Sequence, residues 1–292
     1  MNKYLIFRTD RIGDFFLALI LINSIKQNDP NSHITIVSSN KNHEYIKTFN
    51  IIDNVVLLNH GLINKIKVFF ILKKNKYKSI IVHDDKKRSK LISFFLNCKK
   101  KIVIQNQKYL SHIDIIYTIL KKLNFSYNDK SLNFLDQRTK SLNDKEWIQL
   151  HFDEKWINNK YIDSYTKIEP STDDLISFIN SLSNKTGEKL IITTGILAPE
   201  KLIKINQIIQ NDKIKIMLNL SFLELEKIIC KSKLVISCHG AISHVTSALQ
   251  TNQIDIIDKS YDYSRWSKHF RNYKYLYREN FTELSKKILD IL

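Results

Sequence analysis

Two short loops, each following an apolar run, gather the side chains best suited to chemistry. The first reads Arg8-Thr9-Asp10-Arg11-Ile12-Gly13-Asp14. Arg8 and Arg11 can grip an anionic substrate group bidentately, with Asp10 beside them. Gly13 permits close backbone approach or an unusual φ at the entrance to a helix. Asp14 falls in the first turn of that helix. A carboxylate there either complements the helix dipole or acts as a general base toward a hydroxyl. The second loop reads Ser237-Cys238-His239-Gly240-Ala241-Ile242-Ser243-His244. Small residues after an apolar strand let backbone N–H groups and a helix N-terminus face a phosphate. His239 and His244 can add donors. No carboxylate or thiolate has matching spacing, so no metal site is expected.

Two further segments carry weaker signals. His151-Phe152-Asp153-Glu154-Lys155-Trp156 offers Lys155 as a cation for a pyrophosphate, or as an ordinary solvated charge. His83-Asp84-Asp85-Lys86-Lys87-Arg88-Ser89 has paired aspartates of the kind that hold a divalent ion. The flanking lysines favour a solvated helix cap instead.

The elements that must position these loops alternate. In the first half, strands are expected at 3–8, 33–38, 54–58, 78–83 and 101–105. Helices are expected at 14–27, 41–49, 62–75, 86–97 and 111–123. After a polar stretch at 124–144 the rhythm restarts. Strands are expected at 146–151, 189–193, 213–217, 233–237 and 253–257. Helices are expected from Ser171, at 199–209, 222–230 and 240–249, and as an amphipathic tail at 281–292. The pattern predicts two α/β domains, 1–135 and 145–292, each a parallel sheet covered by helices. The C-terminal helix is free to pack back on the first domain. Ligands of such sheets sit at the carboxyl ends of the strands.

Composition bounds the reading. At roughly 150 residues per domain, 292 residues suit two domains. Five glycines are too few for a multi-glycine dinucleotide fingerprint, which disfavours a Rossmann dehydrogenase. Three cysteines without CxxC spacing fit a reduced, cytoplasmic compartment. No signal peptide or transmembrane helix is expected. The net charge of +17 reflects either an A/T-rich coding bias or an anionic partner. Residues 65–101 hold 13 Lys or Arg against two acids, interleaved with aromatics. Such a face suits peripheral contact with anionic lipid at the inner side of the cytoplasmic membrane, or a phosphorylated acceptor. No nucleic-acid reading module is present.

Together these motifs resemble glycosyltransferase family 9, the heptosyltransferase-like enzymes of bacterial surface-polysaccharide synthesis. The resemblance runs from RTDRIGD with its helix FFLALILINSIK, through KSIIVHDDKKRS, to SFLELEKIICKSKLVISCHGAISHVTSAL. Where the family usually has Asp-Thr-Gly, two residues and His, this chain has Cys238-His239-Gly240, three residues and His244. The resemblance implies a GT-B fold, two facing Rossmann-like domains with an interdomain cleft. It implies an inverting, metal-independent transfer of heptose or a related sugar from a nucleotide-diphosphate donor. The acceptor would be lipopolysaccharide, capsule or a related anionic glycan, and no cofactor is needed. Asp14 matches the family's base, with Arg8, Asp10, Arg11 and Gly13 on the acceptor side. Lys155, His239, Gly240, Ala241, Ser243 and His244 would hold the donor. An epimerase or hydrolase of the same fold, or a noncatalytic glycan- or membrane-binding module, are the alternatives.

Overall fold

Lys3–Phe7 (β1) is apolar without alternation, as a strand buried on both faces must be. It lies at the centre of a five-stranded parallel sheet. Its neighbours are β2 (His33–Ser38) and β4 (Tyr77–Val82), with β3 (Asn54–Leu57) and β5 (Cys98–Val103) at the edges. The computed structural model describes residues 1–104, 109–132, 135, 145–157, 165–209 and 211–292. Helix α1 (Ile12–Asn28) is buried almost all round, from Phe15 through Ile22. It begins two residues before the expected start. Arg11 is extended and its N–H donates to the Asp14 carboxylate at 3.1 Å, which caps the first turn. The crossover helices α3 (Leu62–Lys73) and α4 (Lys87–Phe94) press Val68, Leu72 and Ile92 onto the sheet. Between β2 and β3 the helix is only α2 (His43–Ile46), shorter than expected. Helix α5 (His112–Leu123) follows β5, with Ser111 as its N-cap.

The second unit repeats the plan with six parallel strands. They are β6 (Trp147–His151), β7 (Lys189–Thr193), β8 (Ile214–Met217), β9 (Ser232–Cys238), β10 (Asn252–Ile257) and β11 (Tyr273–Tyr277). Their order in the sheet is β11-β10-β9-β6-β7-β8. The helices are α6 (Thr172–Thr186), α7 (Glu200–Ile208), α8 (Phe222–Cys230), α9 (Ala241–Ala248), α10 (Ser264–Ser267) and α11 (Phe281–Asp290). Ser171 caps α6, and a Ser221–Glu224 capping box starts α8. In α11 the apolar residues Phe281, Leu284 and Ile288 share one face. They join the second unit's own core, where Phe281 meets Phe178 of α6 edge-on at 5.6 Å. This helix therefore buries its apolar stripe in the second unit's own core.

The chain divides into compact units Met1–Phe134 and Leu135–Leu292. Most of the polar stretch at 124–144 lies outside the described residues. Strand β11 was not expected from the sequence. Its alternating tyrosines, 273, 275 and 277, are the period-two signal of a half-exposed edge strand.

Candidate functional site

The first loop leaves the carboxyl end of β1, next to that of β4. Arg8 is buried and its guanidinium organises everything around it. Nη1 donates to the His83 carbonyl at 2.8 Å, and Nε donates to the Asp14 carbonyl at 2.8 Å. The same side chain pairs with the Asp10 carboxylate at 3.2 Å and the Asp14 carboxylate at 3.4 Å. Arg8 is thus committed to holding the loop, while Arg11 is exposed at its tip. Asp84 is no solvated cap. It is buried and accepts from the Thr9 N–H at 3.1 Å, the Thr9 hydroxyl at 2.6 Å and the Ser89 hydroxyl at 2.8 Å. Thr9 is where the β1 loop is tied to the β4 loop. The alternative of a cation site at Asp84 and Asp85 gives way as well, to this tie and to an ion pair of Asp85 with Lys90. Gly13 is buried in the first turn of α1 and is not among the glycines with positive φ.

Burial pushes the Asp10 carboxyl up, Arg8 opposes, and the Asp14 and Asp84 charges add, leaving it at about 7. Asp14 is less buried, with one oxygen on the helix cap and the other on Arg8. His83 is held well below the usual imidazole range by burial and by the nearby Arg8 and His112 charges.

The second unit assembles the other group. Lys155 lies on a short 3-10 turn after β6, its ammonium 2.8 Å from the buried Asp153 carboxylate. Burial alone would lower its pKa, but Asp153 outweighs burial and the net shift is upward. The same ammonium presses on Gly240, the residue before α9. A Cβ there would stand 2.5 Å from Lys155 Nζ. Gly240 is extended, so its backbone would accept other residues, and an added Cβ would displace only the end of the Lys155 side chain. A cation thus sits at the N-terminus of a helix, the arrangement that receives a diphosphate.

Asp255 moors this turn. It lies on β10, paired in register with Ser237 of β9, and is fully buried. Its carboxylate takes the His239 Nδ1 edge at 2.5 Å, the Ser243 hydroxyl at 2.7 Å and the Tyr273 hydroxyl at 3.2 Å. Ser243 in turn accepts from the Gly240 N–H at 3.2 Å. Ala241 opens α9 beside it. His244 is buried one turn on, in ring contact with Phe270 at 5.1 Å and Trp266 at 6.4 Å.

Three supporting residues escaped the sequence reading. Asp153 was in view beside Lys155, but only the fold buries it against the ammonium. Asp255 carried a usable signal, a lone acid inside the apolar run QIDII. Arg278 carried none. It is buried, donates to the Lys155 carbonyl at 2.7 Å and the Thr166 carbonyl at 2.9 Å, and reaches Cys238 Sγ at 3.5 Å. Burial pushes the Cys238 thiol up to about 12. Among the described residues, no group of three or more His, Cys, Asp or Glu side chains is close enough to hold a metal ion.

Two all-parallel α/β units, each with a reactive loop at strand carboxyl ends, define a GT-B-like fold. No family model and no curated protein matches the sequence. Solved structures do. The Escherichia coli heptosyltransferase WaaC, with ADP-2-deoxy-2-fluoro heptose, superposes at a TM-score of 0.75 and 13% identity, covering 99% of this chain and 100% of that one. The glycosyltransferase family 9 protein of Veillonella parvula gives 0.69 at 14% identity, covering 100% and 90%. The UDP-GlcNAc 2-epimerase of Methanocaldococcus jannaschii gives 0.60 at 12% identity, covering 100% and 92%.

Proposed function

We propose that this chain is a glycosyltransferase that moves a sugar, heptose or a related one, from a nucleotide-diphosphate donor to a hydroxyl of a surface glycan. The observation that carries this reading is Lys155 packed on Gly240 at the N-terminus of α9. It occurs on a fold shared with heptosyltransferases.

The chemistry follows from the groups available. The acceptor hydroxyl oxygen attacks the anomeric carbon and forms the new glycosidic bond. The bond from that carbon to the diphosphate breaks, and the diphosphate leaves with the electron pair. Attack opposite the leaving group inverts the anomeric centre. Negative charge grows on the diphosphate, where the Lys155 ammonium and the helix N-terminus stabilise it. Those positive groups perform the task a divalent ion performs in other transferases. The hydroxyl proton goes to Asp14, with Arg8 fixing the carboxylate and Arg11 and Asp10 on the acceptor side. The acceptor is a lipopolysaccharide, capsule or related glycan, offered at the cytoplasmic side of the membrane.

An assay with candidate donors, run with and without a glycan acceptor, tests this reading. Acceptor-dependent release of nucleoside diphosphate supports it. Donor consumption without acceptor would point instead to an epimerase or hydrolase. Absence of any nucleotide-sugar binding would point to a noncatalytic module.

A further inference from the structure

Helices α3 and α4 cover one face of the first sheet, and their inner residues are accounted for by that packing. Their outer residues are not. Leu62, Ile63 and Phe70 of α3 and Leu91, Phe94 and Phe95 at α4 are large, apolar and 58% to 73% exposed. The two helices meet through aromatic contacts. Phe69 lies 5.5 Å from Phe70 and 6.5 Å from Phe95, and Phe94 and Phe95 stand edge-on at 5.1 Å. Phe70, Phe94 and Phe95 are therefore one surface through Phe69, and not scattered singly. Contiguous exposed apolar surface of this kind marks an interaction site.

Lysines surround it. Lys67, Lys73, Lys74 and Lys76 on the α3 side and Lys87 and Lys99 on the α4 side are exposed. Lys73 stands over the Phe69 ring at 5.5 Å and Lys101 over the Phe94 ring at 5.8 Å. The acids cannot neutralise them, because Asp84 is buried in the β1–β4 tie and Asp85 is paired with Lys90. Protruding aliphatic and phenyl groups within a ring of ammonium groups match a bilayer interface with anionic headgroups.

We propose that the outer face of α3 and α4 docks this chain on an anionic membrane. Phe70, Phe94 and Phe95 enter the acyl boundary while the lysines pair with headgroup phosphates. This does not rest on which reaction the chain catalyses.

Vesicle flotation with the full chain tests it, using phosphatidylcholine alone and phosphatidylcholine with 30% phosphatidylglycerol, a fraction on the order of bacterial and cytoplasmic-leaflet anionic content. The expected result is flotation with the anionic vesicles only. The triple variant Phe70→Ser, Phe94→Ser, Phe95→Ser should bind about tenfold more weakly or worse. So should Lys73→Gln, Lys74→Gln. All these side chains are exposed, and an unchanged melting temperature certifies each variant. A Phe94→Trp reporter should be quenched by brominated lipid in anionic vesicles. Failure of the wild type to float, or undiminished flotation of the triple variant, overturns the proposal. A dimer in light scattering that the triple variant converts to monomer, without vesicle binding, overturns it in favour of a second copy as the occupant.

Discussion

Gly240 offers the cleanest test at the scale of single residues, because its Cβ can only collide with the Lys155 ammonium. Gly240→Ala should drive that ammonium off its place while the extended backbone accepts alanine without strain. The expected outcome is about tenfold weaker nucleoside-diphosphate affinity, the loss of one charge-assisted contact, with the fold retained. Lys155→Ala is a harsher change. It strands the buried Asp153 carboxylate and should cost about 3–5 kcal/mol of stability in urea unfolding. Asp14→Asn keeps the size and much of the helix cap but cannot take a proton. Transfer should fall by about 10²–10⁴-fold in single-turnover kinetics, while donor binding measured by calorimetry stays near that of the wild type. Asp14, Lys155 and Gly240 were all legible in the sequence as types and spacing. Their partners were less so: Asp255 showed only as a lone acid in an apolar run, and Asp153 and Arg278 gain meaning only once the fold buries them beside Lys155.

Among the elements, the turn from β9 into α9 depends on its neighbour β10. Asp255 gathers His239, Ser243 and Tyr273 from three segments and fixes where the helix N-terminus points. Asp255→Asn should lower second-unit stability by about 2 kcal/mol or more, and weaken diphosphate binding with it, read by denaturation and calorimetry on the same sample. The strand–helix alternation made most elements readable in advance, because buried parallel strands are apolar runs and their crossovers are amphipathic. The exceptions are local. The helix at α2 is a single turn, with hydrogen-bonded turns rather than more helix on either side of it. Strand β11 alternates Tyr with Lys and Leu in an exposed edge position, so it lacks the continuous apolar run that marks its neighbours.

For the whole molecule, buried histidines and the raised Asp10 carboxyl pull the acid response in opposite directions. Burial holds His151 down at about 4, with the Asp153 and Lys155 charges opposing one another, and His83 is also held well below its ordinary value. Unfolded chains protonate these imidazoles near pH 6.5, whereas the folded chain resists until about pH 4 for His151. The His151 contribution to stability is therefore intact above pH 6.5 and is lost between there and pH 4, by roughly 3 kcal/mol, while the raised Asp10 carboxyl acts in the opposite direction over the same range. In urea unfolding at pH 7 and pH 4.5, the stability difference between the wild type and His151→Asn should shift by about 3 kcal/mol against the wild type on acidification. The two-unit plan was legible from length and rhythm, and so was the basic bias of residues 65–101. What sequence could not separate was inner from outer face on α3 and α4, since both carry apolar residues and only packing decides which are covered.

The central claim is that the second unit receives a nucleotide diphosphate at Lys155 and the N-terminus of α9. Calorimetric titration of the full chain with ADP, UDP, GDP and CDP, repeated on Gly240→Ala, tests it most directly. Saturable binding of at least one of these to the wild type is expected, with about tenfold weaker binding to the variant. No binding of any of them to the wild type, or equal affinity in the variant, would contradict it.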